Sequence, residues 1–192
     1  VRSEANAPDR NYPALFLALD DVLEALGDGR PDDDALRRSF EDSADGFGAE
    51  KALLLMVEPG PEPRLRALAS RGLSPEEVEA CESGRSVPGV SSSRIREAIE
   101  RRTPVMVQDP ERLVGAKVTE ALRGQPYSVL CAPVCDPRTR DVLAVLYVQN
   151  YGVRSAFGEI DRAWIEVYAR SLGRALASPR RRTQERAEEP AP

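Results

Sequence analysis

Three cysteines, Cys81, Cys131 and Cys135, are the strongest nucleophiles in this 192-residue chain. None can be paired with a histidine, because the sequence contains no histidine. That excludes Ser–His–Asp and Cys–His relays, a histidine-held haem and the usual zinc ligand sets. Cys131 and Cys135 lie four apart on a segment that reads as a strand. At about 3.3 Å per residue their Cα atoms stand roughly 13 Å apart, too far for a local disulfide. A small buried apolar role fits Cys131 better than a catalytic one. Sparse thiols in odd number read as reduced, so a cytoplasmic setting is expected. No G-x-x-x-x-G-K-[ST] loop, G-x-G-x-x-G or C-x-x-C occurs. The chain carries 32 acidic and 27 basic residues, a net charge of −5, with no basic stripe for a nucleic acid. Arg180–Arg182 sits beside Glu185, Glu188 and Glu189 and reads as a solvated spacer. No apolar run approaches the roughly 20 residues of a membrane span. The expectation is therefore no catalytic residue, no metal, no cofactor, and neither nucleic acid nor membrane as a partner.

The elements that would position any site follow from periodicity. Residues 1–10 and 178–192 are polar, charged or Pro-bearing and read as linkers around one domain over 11–177. Tyr12, Leu15, Phe16, Leu19, Val22, Leu23 and Leu26 recur at helical steps and predict a helix ending at Gly27 and Gly29. Asp32, Asp33 and Asp34 open a second helix with the stripe Leu36, Phe40, Ser43/Ala44 and Phe47. Ala52–Val57 is a short apolar run, a buried strand, and Arg64–Ser70 returns after the turn Glu58-Pro59-Gly60-Pro61. Ser74-Pro75-Glu76-Glu77 is a helix start with Ser as N-cap and Glu three residues on. Ser91–Ser93 open another helix through Ile95 and Ile99, closed before Pro104, and Val105–Val107 is a short strand. Glu111–Arg123 reads as a weaker helix. Tyr127–Val134 and Val142–Gln149 form two strands joined by the polar turn Cys135–Asp141. A helix from about Gly158 carries the stripe Ile160, Trp164, Val167/Tyr168, Ser171/Leu172 and Ala175/Leu176, with Glu159 and Asp161 in its first turn. Short connections between neighbouring strands predict an α+β domain around an antiparallel sheet of five to six strands.

That order resembles a GAF domain, the small-molecule sensing module of many signalling proteins, over roughly Tyr12–Ala177. The residues that carry the likeness are Phe47–Ala52, Leu65–Leu73, Ser91–Asp109, the strand pair Ser128–Val134 and Val142–Asn150, and the closing pattern Asn150 … Phe157-x-x-x-Asp161. Cyclic-nucleotide-binding members close with Asn-Lys, then Phe, three residues and Asp-Glu. Here Tyr151 replaces the Lys and Arg162 the Glu, so the family's Lys–Asp pair cannot form in its usual way. Phe157 is expected to staple the helix start and Asp161 to cap it. A bilin is not expected, since Cys81 lies between Ala80 and Glu82 with no histidine available.

The resemblance implies a GAF/PAS-like body with the N- and C-terminal helices on one sheet face and a helical lid, Gly72–Arg123, on the other. The ligand pocket would lie between lid and sheet. Its candidate polar liners are Ser86, Ser91, Ser92, Arg94, Arg112, Lys117, Tyr127 and Gln149. The expected function is non-catalytic sensing of a small ligand, relayed through the terminal helices to an effector domain in the same longer polypeptide. The expected setting is transcription regulation of the sigma-54-activator kind, or a histidine kinase. A homodimer through the two striped terminal helices is expected; the same stripes could equally cover the sheet. Two other functions stay open: a degenerate GAF used only for dimerisation or docking, and a thiol-based free methionine sulfoxide reductase.

Overall fold

A computed structural model describes residues 10–27, 33–60, 64–85, 87, 90–107, 127–151 and 156–177. The elements are α1 (Tyr12–Gly27), α2 (Asp33–Gly46), β1 (Lys51–Glu58), β2 (Arg64–Arg71), α3 (Pro75–Glu82), α4 (Ser92–Arg101), β3 (Val105–Val107), β4 (Tyr127–Cys135), β5 (Val142–Tyr151) and α5 (Glu159–Leu176). The expected helix over Glu111–Arg123 lies outside the described residues. The strands form one five-stranded sheet in the order β2-β1-β5-β4-β3, every neighbouring pair antiparallel. An α+β architecture is what the short strand connections predicted, at the lower end of the expected strand count.

Strand alternation sorts the core into two layers. On one face Ala52, Leu54, Leu130, Ala132, Val134, Ala144, Leu146 and Val148 pack against α1, α2 and α5. On the other, Leu53, Leu55, Val129, Cys131, Val145 and Tyr147 pack against α3 and α4. The first layer is tightly closed. Gly173 lets α5 approach the end of β4 so nearly that a Cβ would sit 2.2 Å from the Cys135 carbonyl oxygen. A buried polar tie joins its three helices. Ser39 Oγ donates to the Ala18 carbonyl at 2.6 Å and lies 2.8 Å from the Tyr168 hydroxyl.

The two stripes on the terminal helices differ from the sequence reading. In α1 the buried set is Ala14, Leu15, Ala18 and Val22, while Phe16 is 60% and Leu23 48% exposed. In α5 the buried set runs through Asp161, Ile165, Tyr168, Ala169 and Leu172, while Ile160 is 64% exposed and Val167 is also outside. Each helix is apolar over more than the arc the sheet can cover, so part of each stripe faces outward. The outward parts meet, with Phe16 and Trp164 in edge-to-face contact at 4.9 Å between ring centroids.

Phe157 is fully buried at the start of α5, and Asp161 accepts from the Gly158 N–H at 2.8 Å, a first-turn cap. Asp161 also has a cation, drawn from a place the closing pattern did not suggest. Arg10 Nε donates to Asp161 Oδ1 at 2.6 Å, and its guanidinium lies over the Phe157 ring at 5.1 Å. Arg10 also donates to the carbonyls of Phe47, at 2.6 Å, and Ala156.

Candidate functional site

Among the described residues the second face of the sheet is covered by two short helices, and the start of α3 is well defined in sequence. At α3, Ser74 Oγ accepts from the Glu77 N–H at 3.3 Å while Glu77 Oε2 accepts from the Ser74 N–H at 2.8 Å, the reciprocal cap that the Ser-Pro-Glu-Glu pattern predicted. The bond from the Ser74 N–H holds the Glu77 carboxyl below its ordinary range, with Lys51 Nζ adding an ion pair at 3.1 Å. At the other end of α3, Glu82 Oε1 accepts from the Ala67 N–H at 2.6 Å and so ties the helix to the edge strand β2. Gly72 turns the chain between β2 and α3 at φ +67°. A Cβ there would fall 2.0 Å from the Glu50 carbonyl oxygen.

Between β2 and these helices lies a cleft of about 1270 Å³. Along α4 the lining residues are Ser92, Ile95, Arg96, Ile99 and Glu100, one face at steps of three and four. Leu65, Cys81, Val87 and Val90 complete apolar walls. Charged groups line it as well: Glu58 pairs with Arg66 at 3.4 Å, Arg85 turns to Glu79 at 3.2 Å, and Arg96 and Glu100 stand on α4. Apolar side chains beside charged ones suit a small organic molecule that carries polar groups.

Behind the cleft the sheet face carries a buried polar row. The Ser91 N–H donates to the Tyr147 hydroxyl at 3.0 Å, and that hydroxyl donates to Gln149 Oε1. Tyr147 is fully buried and was missed from sequence. The available signal was its position two residues before Gln149, which puts both side chains on one face of β5.

The eight expected liners separate as follows. Ser92 lines the cleft. Ser91 does not line it; its N–H donates to the Tyr147 hydroxyl and its own hydroxyl lies 3.2 Å from that of Ser93. Arg94 pairs with Glu97, which also takes Arg101 at 2.8 Å; neither Arg94 nor Gln149 lines the cleft. Arg94 Nε is buried with no hydrogen-bond partner among the described residues. Tyr127 opens β4. Ser86, Arg112 and Lys117 lie outside the described residues, so the expected meeting of Arg94 with Arg112 falls there too.

The thiols are free and none is activated. Burial pushes the Cys81 thiol up and nearby Glu77 adds to it. Burial does the same to Cys131, and to Cys135 against the partial opposition of Arg140 and Arg102. A thiol held protonated is a poor nucleophile. Among the described residues no group of three or more Cys, Asp or Glu is placed to hold a metal ion, and no helix is long and apolar enough to cross a membrane.

The family model for the GAF domain matches residues 30–177. Among solved structures, the chain is similar to the GAF domain from a phosphoenolpyruvate-protein phosphotransferase (ptsP) of Coxiella burnetii, at 19% identity over 91% of this chain and 99% of that one, TM-score 0.64. It is similar to the A. aeolicus nlh2 GAF domain in an inactive state, at 14% identity over 87% and 98%, TM-score 0.58. It is also similar to the fRMsr of Staphylococcus aureus in complex with substrate, at 14% identity over 90% and 100%, TM-score 0.62. No curated protein sequence matches the chain. At these identities the likeness to the solved structures establishes the fold.

Proposed function

The chain belongs to the GAF family, and from that premise we propose that it is a non-catalytic sensory module. It takes a small ligand into the cleft between β2 and α3–α4 and passes the bound state through α1 and α5 to an effector domain in the same, longer polypeptide. Transcription regulation or two-component signalling is the setting such an output serves. The observation that supports this reading best is the cleft, which has apolar walls on α4 and β2 and no activated nucleophile among the described residues. A ligand there shifts the balance of two states only through a difference in its affinity for them. The two short helices that frame the cleft are the parts most able to supply such states. Phe16, Leu23, Ile160 and Val167 are exposed on α1 and α5, which meet through Phe16 and Trp164, and they offer apolar surface suited to pairing with a second copy of this chain.

A thermal-shift panel of nucleotides, amino acids and small organic acids tests the sensing reading. A ligand at 100 times its dissociation constant should add about 2.7 kcal/mol of stability. The shift should weaken in Ile99→Trp, which pushes a larger ring from the α4 wall into the cleft. Absence of any shift, together with a dimer at micromolar concentration in sedimentation, would move the reading to a docking unit without ligand.

A thiol enzyme is the second reading. It is favoured by Cys81 on the cleft wall and by the similarity to fRMsr. The protonated state of all three thiols weighs against it. Turnover of free methionine sulfoxide by the native chain, lost when Cys81, Cys131 and Cys135 are replaced together by Ser, would establish it.

A further inference from the structure

The buried polar row behind the cleft and the Arg10 cluster at the terminal helices are joined by hydrogen bonds that are linked covalently at two steps, through Gln149 itself and along the backbone of residues 47–50. The line begins at the start of α4, where the Ser91 N–H donates to the Tyr147 hydroxyl, which donates to Gln149. The backbone carbonyl of Gln149 accepts from the Glu50 N–H at 3.0 Å, and the same N–H reaches Asn150 Oδ1 at 2.9 Å. Glu50 ends a turn pinned to the C-terminus of α2, with the Ala49 N–H on the Ala44 carbonyl and the Gly48 N–H on the Asp45 carbonyl, both at 2.9 Å. The Phe47 carbonyl in that turn accepts from Arg10. Arg10 then reaches Asp161, whose second oxygen takes the Gly158 N–H and so holds the first turn of α5.

Water is kept from most of this line. Tyr147 is fully buried, and Phe47, Gln149, Asn150 and Asp161 are all at most 6% exposed. A buried member that is displaced cannot readily replace its lost partner with solvent, whereas at Glu50, an exposed residue, the link is carried by its backbone N–H. The placement of Arg10 adds a second consequence. It lies outside the segment matched by the family model and two residues before α1, and it touches the α2–β1 turn, the approach to α5 and α5 itself. Its planar fork is what allows one side chain to serve three acceptors.

The geometry points to Arg10 as a latch: it couples the α4 wall of the cleft, through Tyr147, Gln149 and Glu50, to the shared end of α1 and α5. The coupling is reciprocal, so a disturbance at either end must be felt at the other. It needs no ligand and stands whether or not the cleft is occupied.

Amide hydrogen exchange on the 192-residue chain, read residue by residue by NMR, tests it at both ends. In Tyr147→Phe the near amide is Ser91 and the far one Gly158; in Arg10→Ala the near amide is Gly158 and the far one Ser91. The expected result is that the far amide exchanges faster by about fivefold or more in both variants, with Glu50 accelerated as the shared step. Arg10→Lys keeps the charge but cannot fork, and should give the same pattern at reduced size, so the test survives if Arg10→Ala does not fold. Thr139→Ala, which removes an exposed bond to the Asp141 N–H in the β4–β5 turn, should leave both amides unchanged. A far amide that keeps its native rate in Tyr147→Phe and Arg10→Lys overturns the proposal. So does an acceleration shared equally by Leu54 and Leu146 in the core strands, which would report a loss of global stability instead.

Discussion

The two faces of the sheet present apolar side chains in the same alternation, yet they are covered in different ways. Three helices close the first face, with Leu36, Phe40, Phe47, Ile165 and Leu172 all withdrawn from water. Among the described residues two short helices cover the second and leave a cleft, with Ile99 and Leu65 only half-buried at its edge. The sheet residues beneath are equally buried on both sides, so the difference lies in the covering layer. One face is sealed by its helices, and the other leaves apolar side chains beside an open cleft.

Several substitutions can break or sharpen that contrast. The largest expected effect is Phe40→Ala on the closed face, about 3–5 kcal/mol of lost stability in urea unfolding. Ile99→Ala on the cleft face should cost only about 1 kcal/mol, because part of its surface is already in water. Equal costs would erase the distinction between the faces. Next comes Gly173→Ala, whose new methyl meets the Cys135 carbonyl and should cost about 1–3 kcal/mol by the same assay. Tyr168→Phe removes the hydroxyl that meets Ser39 and should cost about 1 kcal/mol.

The smallest effect is electrostatic. Burial, then Asp21 and Asp45, raise the Asp42 carboxyl above its ordinary range. The folded state therefore holds that proton more readily than the unfolded chain. Stability falls as pH rises from the unfolded value through the raised folded one, and it stays lowered at neutral pH. Asp42→Asn should thus raise the melting temperature slightly at pH 7 and lose that gain in acid below the unfolded value. A gain that persists in acid would mean the cause is not charge.

Much of the closed face was legible in the sequence. Leu36, Phe40 and Ala44 gave the buried stripe of α2 directly, and the Ser74–Glu77 cap appears as its pattern predicted. The terminal helices were harder, because Phe16 and Ile160 are as apolar as the residues beside them that go inside. Periodicity finds a stripe but not which of its edges a neighbour covers. The site was the least legible part. Serines and arginines near α4 were visible by type, but whether Arg94 faces a ligand or Glu97 depends on rotation about the helix axis. Arg10 was beyond reach, since its partner lies 151 residues away and nothing local marks the pair.

Chemical-shift mapping of a binding metabolite from the same panel tests the central claim most directly. The account predicts perturbations concentrated at Leu65, Val87, Ile95 and Ile99 around the cleft. Perturbations gathered instead on the α1–α5 surface around Phe16 and Ile160, with the cleft residues unmoved, would contradict it.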